Sequence, residues 1–263
     1  INLINTSIEN IPVLLKNQNN LLPLKLKSNN VINLQFGNDK GSVFNNYLNK
    51  YIDVNSVNTQ DIDENQLNDI INYYETIIVS IHMKSDTPWK NMNKKFSSSD
   101  LEKLKIINNH NKKILVSFTN PYMLNQLNLN SYNSILVSFQ NNEEFQKTTA
   151  QQIYGAKSVN GILPVSINES FKEGDGIILE KINILSYGDP KSVGVDVLKL
   201  SKIDSIIEYA IDNEMTPGAQ ILVAKNSKII YEKSFGKLRY NENLNVNNNT
   251  IYDLASLTKI LVT

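Results

Sequence analysis

The sequence predicts an α/β protein: a mostly parallel sheet with helices on both faces, followed by an incomplete α+β segment of one helix, a hairpin and a helix stub. Three observations carry this. The short apolar runs Ile77–Ile81, Ile114–Phe118 and Ile135–Phe139 alternate with helical patterns, as strands covered on both faces do. That rhythm breaks after Ile167. Two strand-like runs, Ala219–Ala224 and Lys228–Phe235, then flank the short polar loop Lys225-Asn226-Ser227, a hairpin signature. The boundaries that follow are an α/β domain over residues 1–186, a linker over 187–196 and a truncated second domain over 197–263.

The elements justify themselves in order. Val31–Phe36 reads as a strand and Gly41–Tyr51 as a helix. In Glu64–Tyr74, Leu67, Ile70, Ile71 and Tyr74 fall at i, i+3, i+4 and i+7, one helical face. Strand Ile77–Ile81 follows. Ser99-Asp100-Leu101-Glu102 is predicted to be a capping box opening the next helix. After strand Ile114–Phe118, Asn120-Pro121 starts a short helix, with asparagine at the cap and proline in the first turn. Strand Ile135–Phe139 leads to helix Glu143–Tyr154, which Gly155 can stop. Residues 168–196 hold Gly174, Gly176, Gly188, Pro190 and Gly194, a connector with one or two short strands. Val197, Leu200, Ile203, Ile207, Ala210 and Ile211 then share a face of one helix capped by Asp196, and Pro217-Gly218 ends it. Asn241–Thr250 is a polar loop, and Ile251–Thr263 begins a new helix.

Composition narrows the function classes. Of 263 residues, 41% are hydrophobic and 20% charged, the balance of an ordinary globular chain. Lysine plus arginine equals aspartate plus glutamate at 26 each, which gives no footprint for nucleic acid or an anionic membrane. No apolar run nears the ~18–20 residues of a membrane span. Without cysteine there is no disulfide or thiolate chemistry. The opening Ile1 and the apolar run Ile260–Thr263, which lacks a helix-stop signal, lead us to expect a fragment.

One constellation can do chemistry. Ser256-Leu257-Thr258-Lys259 places a hydroxyl and an amine at i and i+3, on one face of a helix. A serine is a weak nucleophile until a neighbouring base takes its proton, and a lysine in an apolar site can help. The product would be an acyl-enzyme on Ser256. Ser234-Phe235-Gly236-Lys237 has the same spacing, but at a strand end, where i and i+3 point to opposite faces. Thr216-Pro217-Gly218-Ala219-Gln220, the hairpin Ile221–Gly236 and Tyr252–Lys259 together resemble the opening of the serine beta-lactamase-related family. That family contains class C beta-lactamases, penicillin-binding-type peptidases and esterases. The resemblance covers about residues 189–263. It implies that Ser256 is the acyl-accepting nucleophile and that Lys259 helps to activate it. The family also uses a tyrosine motif and a Lys/His-x-Gly strand farther along than Lys259, so general base and oxyanion groups are expected outside this chain.

The first part carries a second resemblance. Val13-Leu14-Leu15-Lys16-Asn17 with Asn20-Leu21-Leu22-Pro23-Leu24 looks like the start of the C-terminal α/β domain of glycoside hydrolase family 3. Tyr154-Gly155-Ala156 with Gly161–Ile167 looks like its end. The whole arrangement is similar to beta-N-acetylhexosaminidases fused to a beta-lactamase-like domain. The resemblance implies a bifunctional hydrolase acting on glycans or peptidoglycan fragments, in the periplasm or secreted, with no cofactor and no metal. Its glycosidase residues would sit on an N-terminal barrel, so none is assigned here, and the chain alone is expected to be inactive. The alternative is a non-catalytic sugar-binding or scaffolding α/β module with a degenerate hydrolase tail.

Other residues have weaker claims. His82, just after a strand, either lines a sugar site at the strand ends or is a hydrogen-bonded loop histidine. His110 reads as a solvated helix-end cap, and two distant histidines lack metal-site spacing. Trp89 either stacks on sugar or packs a loop. Asp61-Ile62-Asp63-Glu64 reads as an acidic helix start, not a calcium site. The glycine-bearing connector has no phosphate-loop pattern.

Overall fold

A computed structural model describes residues 8–28, 30–83 and 95–262. The chain divides into two compact units, Ile1–Ile184 and Leu185–Thr263.

The first unit is a six-stranded sheet. Its elements are β1 (Val13–Asn17), β2 (Val31–Phe36), α1 (Ser42–Leu48), β3 (Val54–Asn58), α2 (Glu64–Tyr73), β4 (Thr76–His82), α3 (Ser98–Ile107), β5 (Lys113–Phe118), β6 (Ser134–Val137) and α4 (Glu143–Ile153). The strand order is β1-β6-β5-β4-β2-β3. All neighbouring pairs from β6 to β3 are parallel, and β1 alone is antiparallel, against β6. This is the mostly parallel α/β sheet the apolar runs predict. All seven residues of β4 are buried, because both faces are covered. Leu67 of α2 and Leu104 and Ile107 of α3 pack with Ile77, Val79 and Ile81 on one face. Phe44 and Leu48 of α1 and Phe145 and Ile153 of α4 pack with Ile78, Val116 and Phe118 on the other. Each such fully buried aliphatic side chain contributes about 1.5–3 kcal/mol over an exposed one.

Several local readings change. The cap of α3 is Ser97, whose Oγ accepts from the Asp100 N–H at 3.0 Å and donates to the Asp100 carboxylate at 2.8 Å. Ser99 therefore lies inside the helix: Ser99 and Glu102 have the spacing of a cap as well, but it is the Ser97 hydroxyl that takes the Asp100 N–H and starts the helix two residues earlier. Strand β6 stops at Val137 because Phe139 takes a left-handed φ of 62°. β1 and β3 are strands the apolar pattern does not announce. Asp63 caps α2 in a full capping box with Gln66, which confirms the acidic helix start.

The second unit holds β7 (Ser186–Tyr187), α5 (Val197–Leu200), α6 (Lys202–Asp212), β8 (Gly218–Lys225), β9 (Lys228–Gly236) and α7 (Thr258–Val262). β9 is central in a three-stranded sheet, antiparallel to β8 and parallel to β7. The hairpin loop is only Asn226-Ser227, with φ of 53° and 60°. Positive φ at both central residues matches the right-handed strand twist. The single helix expected from Asp196 is two, because the chain breaks at Ser201. Asp196 still caps the first, accepting from the Leu198 N–H at 2.8 Å. Leu200, Ile203, Ile207, Ala210 and Ile211 are the half-buried face, and neither helix has a fully buried residue. Asp204 of α6 accepts from Tyr231 and Lys233 of β9, pinning helix to strand.

Candidate functional site

In the first unit β2 is the point from which the chain turns both ways: β3 lies on one side of it and β4 on the other. The crevice outside the carboxyl ends of strands at such a switch point is where open α/β sheets bind ligands. Here that edge is closely built. Gly37 leaves β2 with φ of +102°, and a Cβ on it would lie 2.1 Å from the His82 carbonyl oxygen. Only glycine lets the two strand ends approach this closely. The Asp39 N–H donates to the same carbonyl at 3.2 Å.

His82 is the last residue of β4, not a loop residue after it, and it is completely buried. Its ring stacks on Phe118, centroids 4.7 Å apart, and lies 5.8 Å from Phe44. The hydrogen bonds around it fix its tautomer. The Phe44 N–H donates to Gln146 Oε1 at 2.9 Å, so the Gln146 amide nitrogen faces Asn141 Oδ1, at 2.7 Å. The Asn141 amide nitrogen in turn donates to the Asp39 carboxylate at 3.0 Å. Asn141 Oδ1 therefore faces His82 and accepts from Nδ1–H at 2.9 Å. Nε2 is left as a bare acceptor, buried and with no partner among the described residues. It sits against Gly41, where a Cβ would come within 2.4 Å of it. Burial pushes the imidazole down to about 4, against the opposing pull of the Asn141 hydrogen bond and the Asp39 charge.

Chemically this is a positioning assembly. A neutral, enclosed imidazole has no solvent face from which to exchange a proton with a ligand. What it does is tie the loop after β2 (Asp39) to the loop after β6 (Asn141). The half-exposed Asp39, Asn141 and Gly37 are the groups presented outward. Of the sequence candidates only His82 belongs here. Asp39, Asn141 and Gln146 carry no motif, and the signal that points to them is position, just past a strand end.

The other candidates lie elsewhere. His110 is not a solvated cap: Nε2–H donates to the Tyr74 carbonyl at 2.8 Å, and Nδ1 accepts from the Lys112 N–H at 3.2 Å. Trp89 lies outside the described residues. Among the described residues no three histidine, aspartate or glutamate side chains gather as a metal site, and no helix is long and apolar enough to cross a membrane.

Ser256 lies in a 3-10 turn, Ala255–Leu257, and Lys259 in the helix α7 that follows. The new helix thus begins later than Ile251, because Asp253 Oδ1 accepts from the Ala255 N–H at 2.8 Å and forms a local turn first. Ala255 holds a left-handed φ of 44°, an uncommon conformation for a non-glycine residue. All of Ile251–Val262 is exposed. A cavity of about 490 Å³ borders this segment, with Thr216, Gly218, Lys237, Tyr252 and Asp253 in its wall.

No family model and no curated protein matches the chain. Solved structures do resemble it. A beta-glucosidase from Listeria innocua in complex with glucose is 14% identical with a TM-score of 0.51, over 63% of this chain and 26% of that one. A glycoside hydrolase family 3 beta-N-acetylglucosaminidase from Paenibacillus sp. str. FPU-7 is 14% identical with a TM-score of 0.48, over 63% and 32%. The beta-glucoside phosphorylase BglX is 18% identical with a TM-score of 0.46, over 62% and 31%. The chain spans about a quarter to a third of the length of these proteins. At this identity the likeness is one of fold.

Proposed function

We propose that the first unit is the α/β domain of a glycoside hydrolase of the family 3 type, with a beta-N-acetylglucosaminidase as the parent activity. The observation that carries this is the switch-point crevice, where Gly37, Asp39 and Asn141 are held ready by a buried histidine. Amide and carboxylate groups of this kind suit the hydroxyls of a sugar. The crevice acts as half of a site. A retaining glycosidase needs two groups flanking the scissile bond, usually carboxylates, and among the described residues the His82 network holds one carboxylate, that of Asp39. The wider reading places the parent in the cell envelope or outside the cell, trimming glycans or peptidoglycan fragments.

For the second unit the proposal is a serine hydrolase of the beta-lactamase-related type, in which Ser256 is the nucleophile and Lys259 its activator. The strained Ala255 directly before Ser256, and the cavity beside the segment, support it. An acyl-enzyme needs a site that excludes water and donors aimed at the oxyanion, whereas Ile251–Val262 is exposed throughout. The chain by itself is therefore inactive in this reading.

Two assays on the 263-residue chain test the proposal. With nitrocefin or a p-nitrophenyl ester no burst is expected; a burst abolished by Ser256→Ala would overturn the inactivity. Titration with N-acetylglucosamine is expected to show no saturable binding. Saturable binding would favour the second reading, a self-sufficient sugar-binding module, which the pre-ordered crevice also supports.

A further inference from the structure

The opposite, N-terminal edge of the same sheet carries a second concavity, independent of the reading just given. The β1–β2 connection, the start of β4 and the residue before β5 enclose a cavity of about 470 Å³, within the range of small-molecule sites. Its apolar lining comes from Leu21, Pro23 and Leu24. Its polar lining comes from Asn19, Asn20, Ser28 and Thr76. The charges on it are Lys25, Lys27, Lys112 and Glu75.

Those charges are unbalanced. Glu75 is engaged by Lys112. Lys25 and Lys27 have no carboxylate partner among the described residues. A chain with no net charge thus carries uncompensated positive charge in the lining of this cavity. Low-dielectric walls strengthen such a field for an anion entering it.

The walls are also fixed in advance. Asn17 donates its amide to the Leu22 carbonyl at 2.8 Å and accepts the Leu22 N–H at 2.9 Å. The Leu24 N–H reaches the Ile153 carbonyl at 2.7 Å. The Ser28 N–H closes a turn on the Lys25 carbonyl at 2.9 Å, which sets the spacing of the two lysines. Ordering costs that a ligand would otherwise meet are already borne by the fold.

The geometry points to a binding site for a small polyhydroxylated anion, a sugar bearing a phosphate or carboxylate. The lysines take the charged group. The asparagine amides and the serine and threonine hydroxyls, which both donate and accept, take the hydroxyls. Among the described residues no aromatic ring lines the cavity, which removes stacking as the main attraction and leaves the charge to decide affinity.

Calorimetric titration of the full chain at low ionic strength tests this, with glucose 6-phosphate, glucuronate, glucose and inorganic phosphate as probes. At least one acidic sugar is expected to bind ten-fold or more tightly than both glucose and inorganic phosphate. A Lys25→Ala/Lys27→Ala double variant is expected to weaken that binding at least ten-fold. Both lysines are exposed, and circular dichroism checks that the fold is kept. A Lys105→Ala/Lys172→Ala variant, which removes equal charge from exposed positions elsewhere, is expected to bind as the parent does. Equal binding of glucose, equal binding of inorganic phosphate, or indifference to the Lys25/Lys27 change would each overturn the assignment.

Discussion

The two units use similar sequence material and reach opposite degrees of burial. In the first, β4 and β5 are buried at every residue. In the second, β8 has no buried residue and β9 has only Ile229 and Ile230. Both sets of strands are rich in isoleucine and valine. The difference is in what covers them. A sheet with helices on both faces removes every side chain from water, whereas a hairpin with two short helices covers little. Apolar content therefore does not decide stability here; the second layer does.

That contrast can be broken, first, by hydrogen exchange. Amides of β4 and β5 are expected to exchange at least about a thousand-fold more slowly than those of β8 and β9, since core strands open only with the whole unit. Equal protection in the two sheets would refute it. Next comes truncation. Phe118 is fully buried against Phe44 and His82, so Phe118→Ala should cost about 3–5 kcal/mol in urea unfolding. Ile206 of α6 is 64% exposed, and Ile206→Ala should stay within about 0.5 kcal/mol.

The third test is pH. An unfolded histidine titrates near 6.5, whereas His82 is held near 4. Between these values the unfolded chain binds the extra proton, so this contribution is complete above about pH 6.5 and is lost as pH falls toward 4. The loss amounts to about 3 kcal/mol. Comparing urea midpoints of the parent and His82→Gln across this window isolates it from the carboxylates. An unchanged pH slope in His82→Gln would place the titration elsewhere. The smallest effect is at the helix caps. Asp63→Ala, which dismantles a full capping box, should cost about 1 kcal/mol. Asp196→Ala, at a four-residue helix with nothing buried, should cost less in the same measurement.

The contrast also explains what the sequence made legible. Ile77–Ile81 and Ile114–Phe118 announce themselves because burial on both faces demands unbroken apolar runs. β3, at the sheet edge, reads Val-Asn-Ser-Val-Asn and exposes Asn55 and Ser56, so no period marks it. Those polar residues also discourage further strand pairing. β1 was visible only as part of a family-like stretch, since its place is set by β6. At the crevice His82 stood out as a rare residue type. Its partners did not, because Asp39, Asn141 and Gln146 meet it only through strand order, and a one-dimensional pattern carries no such pairing. In the second unit Leu200, Ile203, Ile207, Ala210 and Ile211 share a half-buried face as the period predicts, whereas Val197 is exposed; the break at Ser201 leaves no mark, as serine is tolerated within helices.

The antiparallel strand β1 has a consequence for how the chain is made. Val13 pairs with Val137 and Leu14 with Leu136, partners roughly 120 residues apart. A ribosome adding about 5–20 residues per second takes on the order of ten seconds to cover that distance. Throughout that interval Val13, Leu14 and Leu15 have left the tunnel with no strand to receive them. Within this unit the β1 segment thus emerges before its partner and is seated late, which makes it a natural target for a holding chaperone.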